Sequence, residues 1–208
     1  MIQPAGRSPK AWSIFLGATA LGLIADLWTK HAAFARLADT PVVLTREDVL
    51  STTPLSRLIP FHDPAVVIPN VLEFTLVLNP GAVFGIGAGK RWFFVIFTVF
   101  AVSLATWLFA KKTTVKDRWA HLAFALVVSG GLGNLYDRVL FACVRDFIHP
   151  LPGVTIPFGL KWPGGSNELW PYVSNVADAF LLVGIGILVI YTWRRPEDEV
   201  DGPSNPPR

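Results

Sequence analysis

Four long apolar runs separated by polar segments dominate the pattern along the chain. They cover residues 11–29, 92–110, 119–140 and 173–193. Each is close to the roughly 20 residues that a helix needs to cross about 30 Å of hydrocarbon. The pattern therefore predicts an all-α membrane protein with four transmembrane helices. The first run follows Arg7 and Lys10, as a cleaved signal peptide would, but it is long for one and has no clear cleavage site before Asp26.

Basic residues predict the orientation of these helices. They cluster before the first run, in the short loop between the second and third runs, and after the last run. They are Arg7, Lys10, Lys111, Lys112, Lys116, Arg118, Arg194 and Arg195. Short cytoplasmic loops are enriched in Lys and Arg, whereas charge in the long outer loops has less weight. We therefore predict that both termini lie in the cytoplasm.

Two longer segments connect the runs on the outer side. In residues 31–91 the stretches 66–68 and 71–77 are rich in β-branched and apolar residues, and Pro69-Asn70 between them is typical of a turn. This predicts a small extracytoplasmic β-rich segment. Residues 141–172 are rich in Gly, Pro and Trp, and we expect an ordered loop on the membrane surface.

The composition agrees with a membrane protein. Apolar residues make up 52% of the chain and charged residues 16%, against about 25% charged residues in soluble domains. We expect a single membrane-embedded domain over residues 1–195 and a disordered cytoplasmic tail over 196–208. The net charge of +3 shows no basic stripe, so we expect no nucleic-acid partner. Cys143 is the only cysteine, which excludes an intrachain disulfide.

Polar residues at the ends of the apolar runs mark a candidate site. Ionisable groups are costly in lipid, so their presence there indicates a function. Because the helices alternate in direction, the end of the first and third runs and the start of the second and fourth share the outer face. The residues at these ends are Asp26, Lys30, Asn79, Gly81, Phe84, Asn134, Asp137, Arg138, Asp146, Asn175 and Asp178.

Several of these residues have more than one interpretation. Asp26 and Lys30 are four apart and share a helix face, so they could form a structural ion pair or act in catalysis. Asp137 and Arg138 could tie the third helix to the outer loop, and Arg138 could instead hold a substrate carbonyl or a lipid headgroup. The histidines are scattered without metal-binding spacing, so no metal site is predicted.

Asp146 and Asp178 have the chemistry of a catalytic pair, because each lies among apolar neighbours near the membrane surface. Two carboxyl groups within hydrogen-bond reach in a low dielectric cannot both ionise, so they share one proton. The ionised group can take a proton from an attacking water while the protonated group donates to the carbonyl oxygen. This is aspartic-protease chemistry and needs no cofactor. Spacing alone does not show that the two side chains meet.

The chain resembles the signal peptidase II family, which comprises bacterial intramembrane aspartic proteases that process lipoproteins. The matching stretches occur in the family's order. They are DLWTK from Asp26, NPGAVFG from Asn79, GGLGNLYDR from Gly130, VRDF from Val144 and NVAD from Asn175. Five motifs in order on the expected helix ends make the resemblance specific.

The resemblance implies an enzyme that cuts diacylglyceryl-modified prolipoproteins just before the lipidated cysteine. Asp146 and Asp178 match the family's catalytic dyad. Other residues match positions that support the site or hold the substrate and the inhibitor globomycin. These are Asn79, Gly81, Asn134, Asp137, Arg138, Asn175, Asp26 and Lys30. We also expect a monomer in the bacterial inner membrane, in contact with membrane lipid, with its active site near the extracytoplasmic face.

The chain departs from the family pattern in its outer segments. The stretches between Lys30 and Asn79 and between Asp146 and Asp178 are longer than usual. Ser174 stands where the family commonly has an aromatic residue, and Val83 stands where the family commonly has alanine. These differences concern substrate preference and the outer cover rather than the dyad.

A small transporter or lipid-binding membrane protein is the alternative function. In that case the aspartates would bind protons or cations along a pathway. Transporters usually place polar residues near the middle of the membrane and often contain inverted repeats. Here the polar residues cluster at one end of the helices, which favours the peptidase. A purely structural scaffold leaves so many converging polar groups unexplained.

Overall fold

Helices and one small sheet make up the computed structural model, which describes residues 3–81, 91–162 and 165–194. Its α-helices are α1 Pro9–Arg36, α2 Arg46–Ser51, α3 Arg91–Lys112, α4 Arg118–Leu140 and α5 Val176–Trp193. Its strands are β1 Ala65–Ile68, β2 Leu72–Asn79 and β3 Val144–Pro150. The predictions for Val83, Phe84 and the tail 196–208 lie outside the described residues.

Long helices form at all four predicted spans. Of these, α1, α3 and α5 are long and apolar enough to cross a membrane. The fourth, α4, has 23 residues, but glycines and Asn134 lower its mean hydropathy. It has 12 buried residues, whereas α3 and α5 have two each. Because α4 contacts α1, α3 and α5, it is the central helix and faces protein more than lipid.

Two local signals favour the start of α1 at Pro9. The side chain of Ser8 accepts a hydrogen bond from the backbone N–H of Ala11, which satisfies one of the free donors of the first turn. Pro9 follows at the first helical position, where its missing N–H costs nothing. The helix then runs to Arg36, well beyond the predicted apolar run, and carries Asp26 and Lys30 within its length.

The three strands form an antiparallel sheet in the order β1-β2-β3. The strands predicted at 66–68 and 71–77 are confirmed as β1 and β2. The turn between them contains Asn70 at φ 58°, a left-handed conformation that asparagine tolerates. In the pairing of β2 with β3, Val77 lies opposite Asp146 and Asn79 lies opposite Val144. The sheet therefore places Asn79 close to Asp146.

The prediction of a loop over residues 141–172 is wrong for residues 144–150, which form strand β3. Residues 144–147 are all buried, although two of them are Arg145 and Asp146. A short stretch with two adjacent charged residues does not show the alternation of apolar residues that indicates a strand, so it resembles a loop. These two charges are buried only because other elements supply partners for them. Beyond the strand, Ser174 exchanges backbone hydrogen bonds with Ile148 and so extends the sheet towards α5.

Two apolar clusters lie on either side of the polar residues. One joins the end of α1 to the sheet through Phe34, Leu76, Leu78 and Phe147. The other lies towards the opposite end of the helices. Its centre is Phe15, whose ring stacks on Phe109 at a centroid distance of 4.2 Å. The polar side chains therefore lie between two packed regions, at the level where the helices meet the sheet.

Close packing of α4 against α5 depends on Gly130. A Cβ at this position would lie 2.4 Å from the carbonyl oxygen of Ala177. We expect Gly130→Ala to lower the free energy of unfolding by about 1–3 kcal/mol, because the helices must move apart. Thermal unfolding in detergent measures the change. Gly186→Ala is the matched control, since a Cβ there meets nothing within 4 Å. Equal stability of the two variants would contradict the close packing of α4 against α5 at Gly130.

Candidate active site

Hydrogen bonds through two asparagine side chains connect Asp146 with Asp178. The Nδ2 of Asn175 donates to Oδ1 of Asp146 at 2.6 Å and to Oδ1 of Asn134 at 3.2 Å. The Nδ2 of Asn134 donates to Oδ1 of Asp178 at 2.7 Å. Four side chains from β3, α4 and the start of α5 thus form one continuous chain of hydrogen bonds. The structure brings together the two aspartates that the sequence had only proposed as a pair.

The start of α5 positions two of these residues by a capping box. The Oδ1 of Asn175 accepts from the backbone N–H of Asp178 at 3.1 Å. In return, the Oδ2 of Asp178 accepts from the backbone N–H of Asn175 at 3.3 Å. This reciprocal arrangement satisfies free donors of the first turn. It also holds the Asp178 carboxyl group at the helix end, with its Oδ1 directed to Asn134.

The sheet and its outgoing turn position Asp146 from the other side. Asn79, at the end of β2, donates from Nδ2 to Oδ2 of Asp146 at 3.1 Å. The Oδ1 of Asn79 accepts from the backbone N–H of Gly81 at 3.0 Å. The carbonyl oxygen of Gly81 accepts from Nη2 of Arg138 at 3.1 Å. Asn79, Gly81 and Arg138 therefore connect the turn after β2 to the Asp146 carboxyl group and to α4.

The environment of Asp146 favours its protonated form. Its side chain is buried, with 1% exposure, whereas Asp178 is only partly buried. Burial and the nearby Asp178 carboxyl raise the pKa of Asp146 to about 7, against the opposing hydrogen bonds from Asn175 and Asn79. A carboxyl group with this pKa can hold or release a proton near neutral pH, as general acid–base catalysis requires.

A group of buried charges lies directly behind these residues. The predicted ion pair of Asp26 and Lys30 is confirmed, with Nζ 2.8 Å from Oδ2. Lys30 Nζ also lies 3.5 Å from Oδ2 of Asp137 and donates to Oδ1 of Asn134 at 3.0 Å. Arg145 pairs with Asp137, with Nη2 2.8 Å from Oδ1. Asp26, Lys30 and Asp137 have fully buried side chains.

Known proteins have similar sequences and a similar fold. A family model described as signal peptidase (SPase) II matches residues 18–194. The chain belongs to the signal peptidase II family. A lipoprotein signal peptidase of Streptococcus pyogenes serotype M5 (strain Manfredo) is 33% identical over 156 residues, which are 75% of this chain and 91% of that relative.

Solved structures agree with this assignment. A bacterial membrane enzyme determined by the in meso method at 2.3 Å resolution has a TM-score of 0.61 and 25% identity, covering 92% of this chain and 94% of that one. A second, at 1.9 Å resolution, has a TM-score of 0.59 and 26% identity, covering 88% and 94%. As a member of the signal peptidase II family, this chain is a peptidase of the aspartic type.

Arg145 is a residue of the site that the sequence analysis of this signal peptidase II chain did not predict. An ion pair does link the third helix to the outer segment through Asp137, as predicted. The basic residue of this pair is Arg145 rather than Arg138. Consecutive residues on a helix point about 100° apart, and Arg138 lies over the ring of Phe94 at 5.2 Å. An arginine directly before a motif aspartate, in a stretch that is otherwise apolar, was the available signal.

Cys143 lies beside the site but has no reactive thiol. Burial and the neighbouring Asp137 carboxylate raise the pKa of Cys143 to about 12. Roughly one thiol in ten thousand is then ionised at pH 8, and the thiolate is the reactive form. We expect no maleimide labelling of the native protein in detergent at pH 8 and full labelling after denaturation. Mass spectrometry counts the labels.

Val43→Cys is the control for this measurement, since Val43 is 84% exposed. The variant should gain one label per chain without denaturation. Labelling of Cys143 at a rate similar to that of the introduced cysteine would contradict its burial.

Proposed function

We propose that this chain is an intramembrane aspartic endopeptidase that removes signal peptides from diacylglyceryl-modified prolipoproteins, cutting before the lipidated cysteine. The observation that carries the proposal is the chain of hydrogen bonds from Asp146 through Asn175 and Asn134 to Asp178. The raised pKa of Asp146 supports it. Family membership supports the choice of substrate, because the relatives at about one-third identity are lipoprotein signal peptidases.

The mechanism that we propose uses Asp146 and Asp178 as a pair that shares one proton. The ionised carboxylate takes a proton from water as the water oxygen attacks the scissile carbonyl. The protonated carboxyl group donates its proton to the carbonyl oxygen, and a tetrahedral diol forms. When the C–N bond breaks, the carboxyl group that took the proton of water gives it to the leaving amine. A diol hydroxyl returns a proton to the other carboxylate, so the pair again holds one proton.

The remaining site residues are proposed to orient this pair and the substrate. Asn79, Asn134 and Asn175 donate to the two carboxyl groups, so they fix where each oxygen points. Gly81 and Arg138 are proposed to hold the turn after β2 beside the Asp146 carboxyl group. Beyond its contact with Gly81, the Arg138 guanidinium has further donors that could bind a substrate carbonyl.

The topology that we propose has four membrane spans with both termini in the cytoplasm. The basic residues Lys111, Lys112 and Arg118 lie at the ends of α3 and α4 that are opposite Asp137, which supports an extracytoplasmic site. The diacylglyceryl group would then hold the substrate at a fixed depth. We further propose a location in the bacterial inner membrane and a monomeric state. We also propose that residues 1–195 form one membrane-embedded domain.

The dyad is tested by Asp146→Asn and Asp178→Asn. Each variant should lower cleavage by about 10²–10⁴-fold, because an amide can neither take the proton of water nor hold the shared proton. A gel-shift assay with a lipidated prolipoprotein measures cleavage, with a globomycin-type inhibitor as the specificity control. Asp39→Asn, at an exposed aspartate, is the matched control and should cleave normally. Substantial turnover by either dyad variant in correctly inserted protein would overturn the proposal.

The pH dependence of cleavage tests the shared proton. Because the pKa of Asp146 is about 7, the singly protonated pair loses its proton as the pH rises through this value. We expect kcat/KM to fall as the pH rises above about 7. Initial rates between about pH 4 and 9, on one enzyme preparation, give the profile. A kcat/KM that keeps rising above neutral pH would contradict a shared proton.

A further inference from the structure

Asp26 holds the backbone immediately before Asp178. Its Oδ1 accepts a hydrogen bond from the N–H of Ala177 at 2.9 Å, and both Asp26 and Ala177 are fully buried. Space for this carboxyl group comes from Gly133, where a Cβ would lie 2.2 Å from Oδ2 of Asp26. The start of α5, with its dyad aspartate, is therefore attached to α1 through one buried hydrogen bond.

Asp137 holds the backbone immediately before Asp146 in the same way. Its Oδ2 accepts from the N–H of Arg145 at 3.0 Å. The guanidinium of Arg145 adds hydrogen bonds to both oxygens of the Asp137 carboxyl group. Since successive side chains of a strand point to opposite faces, Arg145 faces α4 while Asp146 faces the site. Strand β3 is therefore attached to α4 at the position next to its dyad aspartate.

Lys30 lies between these two attachments. Its Nζ is 2.8 Å from Oδ2 of Asp26 and 3.5 Å from Oδ2 of Asp137. A lysine has only donors, so its bond to Oδ1 of Asn134 at 3.0 Å sets the orientation of that amide. The Nδ2 of Asn134 must then face Asp178. One ammonium group thus contacts both attachments and one member of the hydrogen-bond chain.

The four buried charges balance. Asp26 and Asp137 are negative, and Lys30 and Arg145 are positive. Replacing one member leaves an uncompensated charge in a buried site, which is costly whatever its other roles. A loss of stability in a Lys30 variant would therefore not distinguish a role in positioning from simple charge balance. A useful test has to restore neutrality while removing the ammonium group.

We propose that Lys30 is a positioning residue that fixes the separation of the two dyad carboxyl groups. It does so by joining Asp26 to Asp137 and by orienting the amide of Asn134. The inference rests on the proposed function of the dyad. The proposal extends that function to Lys30, a buried residue that does not react itself but is expected to affect the rate of the chemical step.

The test is the double variant Lys30→Met/Asp26→Asn, measured beside Lys30→Met alone. The double variant leaves Asp137 and Arg145 as a neutral pair. The amide that replaces the Asp26 carboxyl group keeps an oxygen that can accept from Ala177. We expect the double variant to unfold near the wild-type temperature, with kcat lower by about 100-fold because the reacting groups are misplaced. KM should change little. Lys10→Met, at an exposed lysine on α1, is the control and should change neither value.

A double variant with a kcat within about threefold of the wild type would overturn the proposal, since Lys30 would then act only through charge balance. A crystal structure of the double variant, grown in a lipid mesophase, tests the same point without substrate. We expect the Asp146 and Asp178 carboxyl groups to move relative to each other, and an unchanged separation would also overturn the proposal. If the wild type fails to cleave a lipidated prolipoprotein, the proposed function fails, while the measured separation still decides the role of Lys30.

Discussion

The burial of four charges at one end of a helix bundle is the constraint that shapes this structure. An ion in a low-dielectric interior is tolerated only when partners surround it. Asp26, Lys30, Asp137 and Arg145 meet this condition only together, because each is within ion-pair distance of another member. The need to satisfy these charges requires α1, α4 and β3 to meet at one level. The position of the sheet follows from it, because β3 carries one of the four.

The geometry of the site is a consequence of that arrangement. Two of the buried carboxylates accept from the backbone just before Asp146 and Asp178. The asparagines then fill the space between the carboxyl groups of Asp146 and Asp178 with amide donors. Burial raises the pKa of Asp146 to about 7. A site built in this way holds both carboxyl groups through hydrogen bonds from several elements at once.

The central helix explains an apparent weakness in the hydropathy pattern. α4 is the least apolar of the four long helices because it carries the site residues Asn134, Asp137 and Arg138 together with closely packed glycines. Its neighbours α3 and α5 expose many large apolar side chains, as expected of helices that face lipid. A helix that is polar at one end and packed on three sides suits an enzyme whose polar residues lie at one end of the helix bundle.

Local sequence patterns are enough to predict the long helices, the β1–β2 hairpin and the residues of the proposed dyad. Each depends on a local pattern, such as an apolar run, a turn dipeptide or a short motif in family order. The ion pair of Asp26 with Lys30 was also predictable, because residues four apart share a helix face.

No local pattern predicts that Arg145 lies in a buried strand and pairs with Asp137. The fold also places Lys30 between two carboxylates and connects Asp146 to Asp178 through two amides. These contacts join residues that are far apart along the chain, and a charged side chain becomes buried only when distant elements supply its partners. Local periodicity has no information about such partners, so packing decided which polar residues act together.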